Sequence, residues 1–118
     1  RWEPPRLGSI RIEHWTNAGE QAAHAAKALV HGAESAGAFE PVPYFWSDQF
    51  GTKLQFLGTC GEDDDFEIGE GSVEEGRWVA AYGRDGVTVA ALCVGWPARL
   101  APWQALVAER VAFPPPAP

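Results

Sequence analysis

The chain has 118 residues, enough for one ordinary domain or a small domain plus a piece of another, and at 46% hydrophobic and 21% charged it reads as globular rather than disordered. Its net charge of −7 argues against nucleic acid as a partner, because that affinity rests on Lys and Arg neutralising phosphates. No apolar run is long enough for a membrane-spanning helix and the start lacks the charged-then-apolar pattern of a secretory signal, so no membrane partner is expected.

Residues 1–9, with Pro4, Pro5 and Gly8, are expected to be irregular. "IRIEHW", residues 10–15, begins with Ile10 and Ile12 alternating against Arg11 and Glu13, which suits a short strand. At Thr16 the period changes. Thr16 or Asn17 can cap a helix that runs to Gly32, a residue suited to a helix stop. The face of this helix carries Ala18, Ala22, Ala25, Ala26 and Leu29, which favours close approach to a neighbour over bulk. Residues 33–43, with Gly37, Pro41 and Pro43, read as a connector, and the domain boundary is placed within it, giving segments 1–38 and 39–118.

Beyond the boundary the pattern is mostly strand. "TKLQFLGT" alternates, "DFEIGE" alternates weakly, and two apolar runs, 78–82 and 87–94, flank "GRDG", in which Asp85 and Gly86 form a preferred hairpin pair. Leu100, Trp103, Leu106, Val107 and Arg110 fall at helical spacing, with Pro97 in the first turn and Pro102 near the start. "FPPPAP" reads as a tail in polyproline II form. The expected fold is α+β: a small antiparallel β-sheet of three to five strands with a C-terminal covering helix, preceded by a strand–helix piece. A lone strand and helix cannot bury a core. Methionine is absent and the first residue is Arg1, so the chain reads as a piece of a longer polypeptide.

Cys60 and Cys93 stand too far apart for a redox C-x-x-C or a metal knuckle; they read as reduced thiols in a cytoplasmic protein, with a structural disulfide as the alternative. "EDDDFE", residues 62–67, lacks the alternating ligands and central glycine of a calcium loop and reads as an exposed acidic loop. His24 and His31 lie seven apart on one helix face, which is not a zinc spacing, so both read as surface or packing residues. No nucleophile motif, phosphate loop or dinucleotide fingerprint is present, and no catalytic residue or metal site is assigned.

Two groups remain. Glu13, His14 and Trp15 sit where a strand would pass into a helix; they could hydrogen-bond and stack on a planar cofactor, or be a surface His and a core Trp at a turn. "PYFWSDQFG", residues 43–51, concentrates Tyr44, Phe45 and Trp46 and follows them with Ser47 and Asp48. Such rings offer stiff surface at low entropy cost, for a core, an interface or a flat ligand. On residues alone, core or interface is favoured over ligand contact. Ser47 and Asp48 would fix a turn by bonding nearby backbone N–H groups.

"RIEHWTNAGEQAAHAAKAL", a short Pro-containing connector and "PYFWSDQFGTKLQFLG" together resemble the C-terminal part of FAD-dependent ferredoxin reductases of the putidaredoxin, rubredoxin and biphenyl-dioxygenase reductase type, and more loosely the apoptosis-inducing factor flavoproteins. The resemblance is strong over residues 1–58. It implies that residues 1–38 end an FAD-binding domain and that 39–118 form the reductase C-terminal domain. It implies that Glu13, His14, Trp15, Phe45 and Trp46 contact the cofactor, with Ser47 and Asp48 holding the aromatic turn. The implied activity passes electrons from NAD(P)H through FAD to a ferredoxin-like iron–sulfur protein. The family's glycine-rich nucleotide fingerprints and Gly-Asp pair are missing from this sequence, so the chain alone is expected to be inactive. An interaction module, either a homodimer contact or a partner-docking surface, is the alternative reading of the aromatic cluster.

Overall fold

The computed structural model describes residues 11–118. The expected irregular segment 1–9, and Ile10, lie outside the described residues. The chain divides into two compact units, residues 1–43 and 44–118, and strand pairing begins at Tyr44.

In the first unit, α1 (Trp15–His31) is followed by a single turn, α2 (Ala33–Ala36). The short strand expected over 10–15 is not formed: residues 11–14 carry no regular structure and Trp15 already opens α1. An alternating pattern becomes a strand only when a neighbour takes up its backbone hydrogen bonds, and among the described residues no strand flanks it. The expected cap also differs. His14 occupies the N-cap position without a side-chain cap, and Asn17, buried, turns back to donate from Nδ2 to the Ile12 carbonyl at 2.9 Å. The stop at Gly32 is as read: its φ of 89° lies in a region open to glycine, and its N–H bonds the Ala28 carbonyl. The connector folds back on α1 through Phe39, whose ring lies 5.3 Å from that of His24, so His24 is a packing residue. The alanine face and Leu29 are exposed.

The second unit is an antiparallel sheet of five strands: β1 (Tyr44–Gln49), β2 (Thr52–Gly58), β3 (Asp65–Ser72), β4 (Arg77–Arg84) and β5 (Val87–Val94). They lie in the order β1-β2-β5-β4-β3. The Asp85 and Gly86 turn has both φ angles positive, 51° and 75°, as a type I′ hairpin requires. A 3₁₀ turn (Pro97–Arg99) leads into α3 (Leu100–Glu109), where Pro102 falls in the first turn and breaks no bond.

Side chains alternate across a strand, so the register separates two faces. Gln55 and Leu57 of β2, Cys93 and Ala91 of β5, and Val79 and Ala81 of β4 stand in two cross-strand rows, and all are buried. Over this face lies α3, packed on β5 and β2, with Trp103 fully buried and Val107 nearly so. The Trp103 ring rests on Gly69, at the irregularity between Ile68 and Glu70, where a Cβ would come within 2.5 Å of the indole. The opposite face carries a row of rings across the sheet: Phe45 to Phe56 at 5.4 Å, Phe56 to Tyr82 at 5.8 Å, and Tyr82 to Phe66 at 5.4 Å.

The chain end is not the loose tail that its prolines imply. The Thr88 N–H bonds the Val111 carbonyl at 2.8 Å, and the Phe113 N–H bonds the Gly86 carbonyl at 2.9 Å. Ala112 bridges to Val87, and Pro115 is buried. The Phe113 ring fills the space over Gly83, where a Cβ would lie 2.2 Å from it. A missing side chain on β4 has made a seat for an aromatic ring on the tail.

Candidate functional site

The aromatic run is the edge strand β1 and not a turn. Its six residues pair one for one with β2, with Trp46 opposite Gln55 and Phe45 opposite Phe56. Successive side chains therefore leave on opposite faces. Tyr44 and Trp46 share the α3 face and stack at 5.8 Å between centroids with planes 21° apart. Phe45 joins the ring row on the other face. The three rings do not make one flat surface, because Phe45 and Trp46 leave β1 on opposite faces.

The platform is held from beneath. Gln55, buried, donates from Nε2 to the Tyr44 hydroxyl at 3.1 Å, which fixes the ring that Trp46 lies against. Trp46 stays 45% exposed, so its outer face is open. Ser47 and Asp48 do other work than expected. Ser47 accepts from Gln49 Nε2 at 2.7 Å, and Asp48 pairs across the hairpin with Lys53 at 3.4 Å. The turn itself is made by Phe50 and Gly51, with φ of 50° and 77°. A side chain in this left-handed region costs roughly 1–2 kcal/mol, and the Phe50 ring is fully exposed.

Glu13, His14 and Trp15 are contiguous at the start of α1 in the first unit. Glu13 pairs with Arg11 at 2.9 Å, His14 is half-buried, and the Trp15 indole is 88% exposed. Trp15 is therefore not a core residue of its own unit.

Two charged clusters are structural, one at Glu70, which the sequence did not single out, and one at Asp64 in the acidic run. Glu70 accepts from Arg99 Nε at 2.9 Å and from Trp103 Nε1 at 3.0 Å, tying α3 to β3. Burial opposes the charge on Glu70, but the bonds from Arg99 and Trp103 outweigh it and hold the carboxyl below the usual range. Arg77 and Arg99 each lie over the Trp96 ring, at 5.2 and 5.7 Å. Within the acidic run, Asp64 is the exception to the exposed-loop reading. Its side chain is 4% exposed and takes a forked pair of bonds from Arg84, one of them Nε to Oδ1 at 2.6 Å, and a third from the Gly61 N–H at 2.7 Å.

The Arg84 bonds hold the Asp64 carboxyl below its ordinary value. A group whose folded pKa is depressed contributes stability above its unfolded value and loses it as pH falls through the folded one. The domain is therefore expected to lose stability once pH drops below about 4. Asp64→Asn should cost roughly 3 kcal/mol at pH 7, by leaving the Arg84 guanidinium under-paired, and should flatten that acid limb. Urea midpoints at pH 7 and pH 3 check this; an acid limb of undiminished size in the variant would assign it to other carboxylates.

Among the described residues no three His, Cys, Asp or Glu side chains cluster as a metal site. No helix there is long and apolar enough to cross a membrane. Cys60 is an exposed free thiol and Cys93 a buried one, its pKa pushed up to about 11 by burial. Chemically, the Ser47 hydroxyl and the Asp48 carboxylate of β1 are engaged with Gln49 and Lys53. The strand offers a half-exposed indole on a braced phenol, a surface on which a planar ring can stack.

A family model described as "Reductase C-terminal" matches residues 44–117, which is the second unit almost in full. A Sphingomonas protein named ferredoxin–NAD(P)(+) reductase is 37% identical over 86 residues, covering 72% of this chain and 20% of its own length. The crystal structure of Fdr9 superposes with a TM-score of 0.75 at 34% identity, over 93% of this chain and 29% of that one. The putidaredoxin reductase chain of a covalent complex with putidaredoxin superposes at 0.74 and 26% identity, over 87% of this chain and 24% of that one. The chain thus spans between a fifth and a third of the length of these relatives.

Proposed function

The chain belongs to the reductase C-terminal family, and from that membership we propose that it is the C-terminal part of an FAD-dependent oxidoreductase that carries electrons from NAD(P)H to a ferredoxin-like iron–sulfur protein. The observation that carries the reading is Trp46: a half-exposed indole, stacked on Tyr44, on the first strand of the family-matched segment. The residues present fit the planar ring of such a cofactor and not its phosphates, since the sequence has no glycine-rich nucleotide loop. When bound, the flavin turns a two-electron hydride into single electrons for the iron–sulfur partner.

The part played by this chain is positional. Trp46 would lie against the ring and keep water from it, while Tyr44, stacked on Trp46, sets its tilt and Gln55 fixes Tyr44 through the hydroxyl. Phe45, turned to the other face and as exposed as Trp46, stays a proposed cofactor contact beside its place in the ring row of the sheet. Glu13, His14 and Trp15 are proposed as cofactor contacts of the first unit, with the exposed Trp15 indole the strongest of the three. The 118 residues alone are proposed to be inactive.

The test is the full-length protein. It should purify with bound flavin and reduce a ferredoxin-type acceptor with NADH or NADPH; a colourless, well-folded protein overturns the reading. There, Trp46→Ala should slow acceptor reduction about tenfold while the melting temperature stays within about 2 °C, because a half-exposed edge residue carries little of the core. An unchanged steady state would remove Trp46 from the site.

A further inference from the structure

We propose that the free edge of β3 is a docking strand for an extended segment of a partner protein in which Lys or Arg alternates with apolar residues. β3 closes one side of the sheet and pairs only with β4. Every second backbone N–H and C=O of such an edge points away from the sheet. Among the described residues, nothing beyond the ladder with β4 bonds the backbone of residues 65–72. The regular part of the edge is Asp65–Ile68, paired one for one with Gly83, Tyr82, Ala81 and Ala80 before the irregularity that precedes Glu70. These four side chains are all exposed. The edge lies across the sheet from β1, so the proposal is independent of the Trp46 platform and of the flavin reading.

The occupant follows from the two faces of this edge. Residues opposite each other in a ladder share a face. Asp65 and Glu67 therefore stand on the α3 side, with Gly83 and Ala81. Phe66 and Ile68 stand on the ring side, where Phe66 ends the ring row and the two remain 56% and 38% exposed. A strand added beyond β3 would meet carboxylates at alternate positions on one face and apolar groups on the other. The carboxylates are open to it. Lys53, Arg77, Arg84 and Arg99 pair with Asp48, Glu75, Asp64 and Glu70, and among the described residues no ion pair reaches Asp65 or Glu67. This charge selects a cationic occupant. It rejects a second copy, because two β3 edges side by side would set carboxylate against carboxylate. Main-chain bonds supply the attraction in such an added strand, and the alternation of side chains supplies the selectivity. The other edge lacks the pattern, since the one carboxylate of β1, Asp48, is held by Lys53.

The probe is a short fluorescent peptide of alternating Lys and Val, titrated with the 118-residue chain and read by anisotropy. It should bind about tenfold tighter than a peptide of the same composition with its lysines and valines in two blocks. Glu67→Lys should weaken the alternating peptide about tenfold while the melting temperature stays within about 2 °C, because the side chain is exposed. The bound peptide should slow hydrogen exchange at alternate β3 amides and leave β1 amides unchanged. Equal affinity for the two peptides would reduce the contact to plain charge attraction and overturn the proposal. So would unchanged binding to Glu67→Lys, or protection that appears at β1 instead of β3. A dimer of the free chain with its β3 amides protected would name a second copy as the occupant and overturn it as well.

Discussion

Trp103→Ala is expected to destabilise the sheet domain by about 4 kcal/mol, read as the loss of urea-unfolding free energy of the 118-residue chain. The indole is fully buried, lies against Gly69, and donates to Glu70 Oε2 at 3.0 Å. Its removal opens a cavity between α3 and the sheet, and it takes one of the donors that make a buried carboxylate tolerable. Domains of this size are stable by only about 5–15 kcal/mol in total, so much of the short chain should unfold at modest denaturant. Trp103→Phe restores most of the volume but not the N–H, and should recover more than half of the loss. A loss under about 1 kcal/mol for the alanine variant would mean that α3 is held to the sheet by something other than this ring.

The second large effect belongs to Gly58, at the end of β2. Its φ is +82°, and a Cβ there would lie 2.2 Å from the Val89 carbonyl oxygen and 2.9 Å from the Ala90 Cα. Both obstacles are backbone of the adjacent strand, which cannot swing aside as a side chain would, and Gly58 is paired directly with Ala90. Gly58→Ala should therefore cost roughly 3 kcal/mol or more, the sum of a left-handed backbone penalty and overpacking. Gly76 supplies the control. Its φ of +69° is similar but a Cβ there would meet nothing within 4 Å, so Gly76→Ala should cost only about 1 kcal/mol. Equal losses for the two variants, measured as urea midpoints at constant slope, would refute the close approach of β2 and β5.

The candidate site was half legible. Its location was visible as a run of rings, and the family segment that begins there bears out the resemblance drawn from the same residues. Its geometry was not. Alternation is the usual mark of a strand, and three consecutive aromatics erase it because both faces of β1 are apolar. The residues alone point to a turn at Ser47 and Asp48, whereas the chain reverses at Phe50 and Gly51. Gly51 was the available signal: a glycine followed by "TKLQFLG" marks a two-residue reversal, hidden by the unusual residue before it.

Taken alone, the sequence determined what depends on neighbours along the chain. Gly32 stops α1, Asp85 and Gly86 reverse β4 into β5, and the spacing of Leu100, Trp103 and Val107 prepares a helix for a covering role. These are preferences of backbone angle and periodicity, and each is complete within a few residues. The tertiary structure decided what depends on distant partners. Arg84 selects Asp64 from an acidic run twenty residues away, Glu70 is claimed by Arg99 and Trp103, and Gly83 gives Phe113 a seat that turns a proline tail into part of the domain. The alternating residues near Ile12 form no strand because, among the described residues, no second strand lies beside them to complete a ladder of backbone bonds. Local angles can be read from a residue and its neighbours, but a hydrogen bond or a buried ring is settled only by which second group the fold brings within reach.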